Sequence, residues 1–335
     1  MRSALLPLLA LPLLCTSFSR TADSIVLRPS AGLELRKSFS LQSVNERQSK
    51  SKTRERNTTM SESRALVVLD KIIEATDERA THLQRTYEVI EHSLKNEYDD
   101  SLGLEDLVLE ADCALTTKQV LFTWDPDEEA YELDSPTVLN MERPPTFDLD
   151  LAAFLPSGAV DTDDVWEMSP DSFEQIADFL HGLPMEWDGP SGPAHRADNP
   201  DTLDGDRSLD GEVLITYTGT HRVDNRVDNR VDNRDLAVLE ISGEYTLEES
   251  HGSSKEMGGH TISKRVDSVK KCSIDGVLLW DMAAGYAASL ELEITAEHEG
   301  TVENGLEMEG RSTSRTSVTS GTDTTVIRVS FERVL

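Results

Sequence analysis

The chain has 335 residues, of which 37% are hydrophobic and only 5% aromatic, so it is long enough for a sizeable core but lean in core-forming residues. Acidic residues outnumber basic ones by 63 to 32, which gives a formal net charge of −31. This charge argues against nucleic acid and anionic membrane surfaces as partners, because both are themselves negative. The acid is concentrated after residue 64, since residues 23–64 hold nine basic and five acidic residues.

The first 22 residues have the layout of a secretory signal peptide. Arg2 precedes an apolar run from Ala4 to Leu14, and small residues follow at Ser17 and Ser19. The run is too short to cross a bilayer, which takes about 20 residues. We therefore predict cleavage before about Asp23 and a secreted or periplasmic protein with no transmembrane segment in its mature chain.

The next stretches differ in pattern. Residues 43–64 are polar and are predicted to form a mobile linker or long loop. Residues 66–94 fit either two strands around residues 77–79 or a helix, and β-branched residues such as Val67 and Ile72 favour the strands. A clearer strand–turn–strand pattern follows at 118–133.

The sequence marks one helix well, over residues 170–181. Ser169 stands at the cap position and Pro170 at the first helical position. Phe173, Ile176 and Leu180 share one face of such a helix.

The chain is predicted to hold two β-rich units. The first spans residues 23–187, the second spans 212–335, and the Pro-, Gly- and Asp-rich stretch 188–211 is the predicted linker. In the second unit, apolar residues such as Leu290 and Leu292 alternate with acids, which predicts antiparallel strands with one buried and one solvated face. The predicted fold class is α+β, predominantly antiparallel β, with two curved sheets or half-barrels and short connecting helices.

The tetrapeptide Arg-Val-Asp-Asn occurs three times in tandem, at residues 222–233, between two predicted strands. Asp-Asn dipeptides form turns because both residues tolerate a left-handed backbone. Two additional copies add an even number of residues, which leaves the facing of the next strand unchanged, and a longer loop costs little free energy. We interpret the repeat as a hairpin turn that tolerates copies. A partner-binding loop is the alternative.

Common signatures of catalysis and of cofactor binding are absent from the sequence, and its eight histidines are scattered singly. Residues 206–211 match the first half of a calcium loop, but Tyr217 stands where the closing Glu is needed, so a turn before a strand explains them better. The predictions are therefore no catalytic residue, no metal site, no cofactor and no enzymatic activity.

Removal of the signal peptide would leave two cysteines, Cys113 and Cys272. An oxidising compartment permits a disulfide between them. Two buried thiols are the alternative.

Four phrases together resemble a group of uncharacterised secreted proteins of planctomycete-type bacteria. They are "LQRTYEVIE", "VLFTWDPDEEAYEL", "LAAFLPSGAVDTDDVWEM" and "SIDGVLLWDMAAGYAASLELE". In that group an "LLP…V..GD.W" phrase precedes a short helix, and a "G.L.WD…G" hairpin lies in a C-terminal sheet. Asp163 stands where the group has Gly, and the group has one copy of the repeated turn. The resemblance implies export and a β-rich fold, and it implies no activity.

Two main functions fit these observations. The first is a non-enzymatic carrier or binder of an apolar ligand, with a cavity lined by Trp280, Leu290, Leu292 and Phe331, unless these residues are simply core. The second is a protein-interaction or structural module of the cell envelope, with an envelope protein as its partner. A carrier needs an apolar cavity, and an envelope module needs an exposed patch or an open sheet edge. A hydrolytic enzyme, the third reading, needs ionisable groups that converge in a cleft.

Overall fold

The computed structural model describes residues 22–51, 55–98, 106–128, 130–133, 150–177, 179–180, 183–188, 205–227, 230–257, 260–308 and 311–334. Nearly all the regular structure in these residues is β-strand. The strands are β1 Glu34–Lys50, β2 Glu55–Ala75, β3 Ala80–Tyr98, β4 Leu107–Cys113, β5 Gln119–Asp125, β6 Ala130–Leu133, β7 Val165–Met168, β8 Met185–Trp187, β9 Gly205–Val227, β10 Arg230–Met257, β11 His260–Asp281, β12 Tyr286–Met308 and β13 Arg311–Arg333. A 3-10 turn spans Ala152–Phe154, and helix α1 spans Pro170–Ala177.

All thirteen strands belong to one antiparallel sheet, with the order β6-β5-β3-β2-β1-β13-β12-β11-β10-β9-β7, with β4 beside β3 and with β8 beside β4. The predicted α+β class with two curved sheets or half-barrels is therefore wrong. The sheet is single because β1 pairs with β13 from Leu35↔Arg333 to Lys50↔Val318, which joins the two predicted units strand to strand. Such a pairing leaves no local mark in the sequence.

The polar stretch 43–64, predicted as a linker, lies mostly in strands β1 and β2. Its residues pair from Ser43↔Glu62 to Lys50↔Glu55. Polar residues sustain a strand here because the ladder uses backbone groups, and neighbouring strands supply partners on both sides of β1. Residues 66–94 follow the two-strand alternative, with the turn between β2 and β3 at residues 76–79.

One face of the sheet, which we call the inner face, carries the hydrophobic core. A single row crosses seven strands with apolar or aromatic side chains: Leu66, Phe39, Val329, Leu290, Leu278, Leu239 and Tyr217. Ile25, Phe154 and Phe173 pack on the same core from the N-terminal segment, the 3-10 turn and α1. The chain thus covers the apolar part of the inner face with its own segments.

The N-terminal segment 22–33 is tied to the rest of the molecule along its length. The Asp23 N–H donates to the Val160 carbonyl at 2.8 Å, and the Trp280 indole N–H donates to the Val26 carbonyl at 3.3 Å. The Arg28 N–H donates to the carbonyl of Gly285, whose φ is 72° and whose Cα lies against the Arg28 side chain. Only glycine meets both the conformation and the close approach at that position.

Helix α1 begins where the sequence predicts and is shorter than predicted. The Ser169 hydroxyl accepts a hydrogen bond from the Ser172 N–H at 3.2 Å, as a cap residue does. The helix ends at Ala177, and Phe179 and Leu180 beyond it remain buried.

The sheet continues well past the core at one end. We call this part the polar extension; it comprises residues 43–50, 55–65, 248–257, 260–271, 297–308 and 311–325. Of its residues whose side chains the structure describes, none is buried. In β13 alone 16 residues, 311–326, precede the buried Ile327, which is roughly 50 Å of strand.

The repeat lies in the β9–β10 hairpin at the opposite end of the sheet. Its first and third copies run along β9 and β10, and the pairs continue to Val227↔Arg230. The interpretation as a longer turn therefore needs correction, because the copies lengthen the two strands. Asp228 and Asn229 are the two residues between the strands and lie outside the described residues.

Candidate functional site

Four ionisable side chains converge within the core on the inner face. Lys37, Asp70 and Arg85 stand on the adjacent strands β1, β2 and β3, and Asp150 comes from the segment before the 3-10 turn. Arg85 donates from Nε and Nη2 to the two oxygens of Asp70, at 2.6 and 2.8 Å. The Lys37 ammonium lies 2.8 Å from Asp70 Oδ2 and also bonds to Asp150.

The partners in this network keep one another charged. Burial alone would raise the pKa of Asp70, but the adjacent Arg85 and Lys37 outweigh it and lower that pKa to about 2. Burial would lower the pKa of Lys37, and Asp150 and Asp70 together raise it instead. Two cations and two anions therefore balance, and both Asp70 oxygens are engaged. Such a network fixes the arrangement of its strands and offers no poised acid or base.

A second cluster lies farther along the same face. Glu62 Oε1 bonds to His92 Nε2 at 2.6 Å and accepts from Arg64 Nε at 2.7 Å. Trp187 packs edge-on against His92 with ring centroids 4.5 Å apart, over the small Ala111 that pairs with both residues. Burial would raise the pKa of Glu62, but the bonds to His92 and Arg64 lower it to about 2. This cluster links the short strands β4 and β8 to β3.

The boundary between the core and the polar extension is also charged. Asp323 accepts a hydrogen bond from the Ser43 hydroxyl at 2.8 Å and lies 3.2 Å from the Lys270 ammonium. His298 pairs with Lys270 across β12 and β11. Burial lowers the pKa of His298, and the nearby positive charge of Arg47 lowers it further. The inner face thus changes from apolar to ionic within two rows of residues.

The opposite, outer face of the core region is acidic and open to solvent. Its exposed acids on β10 and β12 are Glu240, Glu244, Glu291 and Glu293. Arg328 lies 3.0 Å from Glu291 in an exposed pair, which contributes little to stability. These acids are therefore on a solvated face of the sheet.

The four residues expected to line a ligand cavity are all buried in the core. Trp280, Leu290, Leu292 and Phe331 belong to the same buried cluster, and Phe331 packs against Phe39 with ring centroids 6.1 Å apart. The Lys37 ammonium lies 5.3 Å from the centre of the Phe331 ring.

Cys113 and Cys272 are both buried and are not joined by a disulfide in this structure. Cys113 ends β4, which pairs with β3, whereas Cys272 is on β11. Four strands separate β3 from β11 in the sheet, far more than the roughly 5.5 Å between Cα atoms that a disulfide spans.

In the described part of the chain, no group of three or more His, Cys, Asp or Glu side chains is arranged to hold a metal ion. Asp206 to Gly211, which resemble half of a calcium loop, lie within strand β9. None of the helices in the described ranges has the length and apolarity that crossing a membrane requires.

Sequence reasoning missed the buried ion network, although a signal for it exists. Each of its three strand residues occupies an inward position in an alternating apolar pattern: Leu35-Lys37-Phe39, Val68-Asp70-Ile72 and Leu83-Arg85-Tyr87. Charges of opposite sign at inward positions of adjacent strands predict a buried ion pair. Asp150 has no such pattern around it.

Comparison with known proteins identifies no family. No protein-family model matches the chain, and no curated protein matches its sequence. The resemblance to planctomycete secreted proteins therefore stays a prediction.

Comparison of folds gives only weak likenesses. An outer membrane channel from Pseudomonas putida F1 has 6% identity and a TM-score of 0.20, over 93% of this chain and 100% of that one. OccK2 (OpdF) of Pseudomonas aeruginosa has 8% identity and a TM-score of 0.16, over 90% and 98%. OmpT, an outer membrane protein of Vibrio cholerae, has 8% identity and a TM-score of 0.16, over 92% and 100%. Scores this low carry no argument about fold or function.

Proposed function

We propose that the chain is an exported, non-enzymatic protein of the cell envelope that acts as an interaction or structural module. The observation that carries this proposal is the polar extension. None of its described side chains is fully buried, so this part of the sheet gains little hydrophobic stabilisation. These long strands contribute little to the stability of the fold, but they provide surface and length. An interaction or structural module needs both.

The carrier reading has less support. A carrier needs an apolar cavity that its own side chains leave open. Here Ile25, Phe154 and Phe173 pack into the core that includes Trp280 and Leu290. In the described part of the chain, these side chains cover apolar surface that a ligand would need.

The charge network likewise favours a structural role over a catalytic one. Asp70 has both oxygens bonded to Arg85 and one also to Lys37, and these partners stabilise its ionised form. A general acid or base needs a pKa near the working pH, and the pKa of Asp70 is held at about 2.

Shortening the polar extension tests the proposal. In β12–β13, residues 303–316 are replaced by Asn-Gly, since Val302 pairs with Ser317; in β10–β11, residues 253–264 are replaced likewise, since Gly252 pairs with Arg265. We expect the melting temperature to stay within a few degrees of the parent, because no described side chain in these segments is buried. We also expect the fraction that sediments with the envelope of an exporting bacterial host to fall several-fold.

A control variant changes the charge of the core region instead. The double substitution Glu291→Gln and Glu293→Gln leaves the extension intact and should leave envelope association unchanged. Equal release of the parent and the shortened protein by osmotic shock would overturn the proposal. Native mass spectrometry of the purified parent tests the carrier reading, which predicts an added mass that organic extraction removes.

A further inference from the structure

The outer edge of the repeat hairpin has a defined position in the sheet. β10 joins β11 only from Leu236↔Asp281 onward, and β7 pairs with β9 only along Val213–Thr216. Among the strands that the structure describes, β10 alone therefore runs beside residues 223–227 of β9. A strand edge of this kind presents alternating backbone donors and acceptors to another chain.

The repeat is self-complementary when it is read against itself in the antiparallel direction. With Asn225 opposite Asn225 of a second copy, Asp224 stands opposite Arg226 and Val223 opposite Val227. The hairpin's own register does not use this match. It places Asp224 opposite Asn233 and Arg226 opposite Val231. Asp224 and Arg226 thus have no opposite charge directly across the hairpin, whereas a second, antiparallel β9 supplies one for each.

The charge of the repeat also differs from that of the whole chain. Residues 222–235 contain four Arg and four Asp and are neutral, whereas the whole chain carries −31. Two copies of so acidic a protein repel each other least where a neutral segment projects from the sheet. At physiological salt, charges farther than about 8 Å are largely screened, so the local match decides.

We propose that two copies of this chain pair antiparallel through the outer edges of their β9 strands, on a two-fold axis at Asn225. The contact is isologous, so each charge match occurs twice in the dimer. It continues the sheet from one copy into the next by strand addition. The inference rests on the proposed interaction role, for which it names a partner, and is tested with purified protein alone.

Sedimentation velocity of the mature chain, from Asp23, over a range of concentrations at physiological salt measures the dimer. Asp224→Arg and Arg226→Asp each place like charges opposite each other twice. Each should weaken dimerisation by about tenfold or more. An equimolar mixture of the two variants should dimerise as the parent does, because two arginines then face two aspartates.

Asp232→Arg is the matched control, since it makes the same charge change on β10, away from the proposed contact. It should leave the dimer unaffected. A parent that stays monomeric at every concentration overturns the inference, as does a mixture that fails to restore dimers or a control that weakens them equally. Monomeric protein that still sediments with the envelope would refute the dimer and leave the proposed function standing.

Discussion

The Lys37 ammonium lies 2.8 Å from the Asp70 carboxylate, with both side chains at least 98% buried among apolar residues of the sheet. Buried ions cost stability unless each is paired and hydrogen-bonded. Arg85 and Asp150 complete the pairing here, and Asp150 belongs to the segment that carries the 3-10 turn. The network therefore specifies how that segment docks on the sheet.

Lys37→Met should lower the free energy of unfolding by about 3–5 kcal/mol, because it leaves an uncompensated charge in the core. Urea denaturation at pH 7 measures this. Arg36→Met on the outer face removes a half-exposed pair with Glu88 and should cost at most about 1 kcal/mol. Similar costs for the two variants would contradict a special role for the buried network.

The stability of the fold should decline in acid below about pH 5. Asp70 and Glu62 both have folded-state pKa values of about 2, below the ordinary values of 3.8 and 4.5. The stability that these two carboxylates contribute is fully present above their ordinary pKa values and is lost as the pH falls toward 2. Glu62→Gln should be less stable than the parent at pH 7 by about 2 kcal/mol, and the gap should close between pH 4 and pH 2. A gap that is constant over this range would show that ionisation of Glu62 plays no part.

Asp163 offers a test of backbone strain. Its φ is 75°, in the left-handed region that favours glycine. Asp163→Gly should raise the free energy of unfolding by about 0.5–1 kcal/mol, and Asp163→Ala should lower it by a similar amount. Thermal unfolding of the two variants measures both effects. Effects of the same sign would contradict backbone strain at Asp163.

The number of repeat copies should affect the hairpin, because it decides which two residues form the turn between β9 and β10. Deletion of residues 226–233 leaves Val223 opposite Arg234 with Asp-Asn between them, the same dipeptide that now separates Val227 from Arg230. Deletion of 230–233 alone would instead centre the turn on Arg-Val, which disfavours a tight hairpin. In hydrogen exchange, the amides near His221 and Leu236 should stay protected in the variant with one copy. They should lose protection in the variant with two copies. Equal protection would mean that the sheet does not fix the register.

The N-terminal segment should behave as part of the core. Ile25 is fully buried, and its neighbour Val26 is 37% exposed. Ile25→Ala should cost about 2–5 kcal/mol, and Val26→Ala less than about 1 kcal/mol. Chemical denaturation of both variants measures this contrast. Small and equal costs would show that the segment is only loosely attached.

The sequence predicted local features better than distant ones. The alternation around Leu290 and Leu292 correctly predicted antiparallel strands, because a half-buried strand imposes period two on its residues. It could not predict that β1 pairs with β13. Without that pairing, the sequence pattern predicts two separate sheets.

The polarity of residues 43–64 predicts a loop, which is wrong because these residues lie mostly in strands β1 and β2. A stretch without apolar residues is ordinarily a loop, since it buries nothing. Here the ladder Ser43↔Glu62 to Lys50↔Glu55 extends strands whose register is already set by Phe39 and Leu66. Pairing with neighbouring strands thus extends the sheet into a polar stretch, and the sequence of that stretch alone does not predict a strand.

The pairing of β1 with β13 also bears on how the molecule folds. Ser40 donates to the Arg328 carbonyl, a contact 288 residues apart in sequence. Closing so long a loop carries a large entropic cost, and folds with many such contacts form slowly. The two flanking meanders, β1–β3 and β9–β13, are built from consecutive hairpins and can form first. Their union at this seam completes the core row, so we expect the meeting of the two halves to be the slow step of folding.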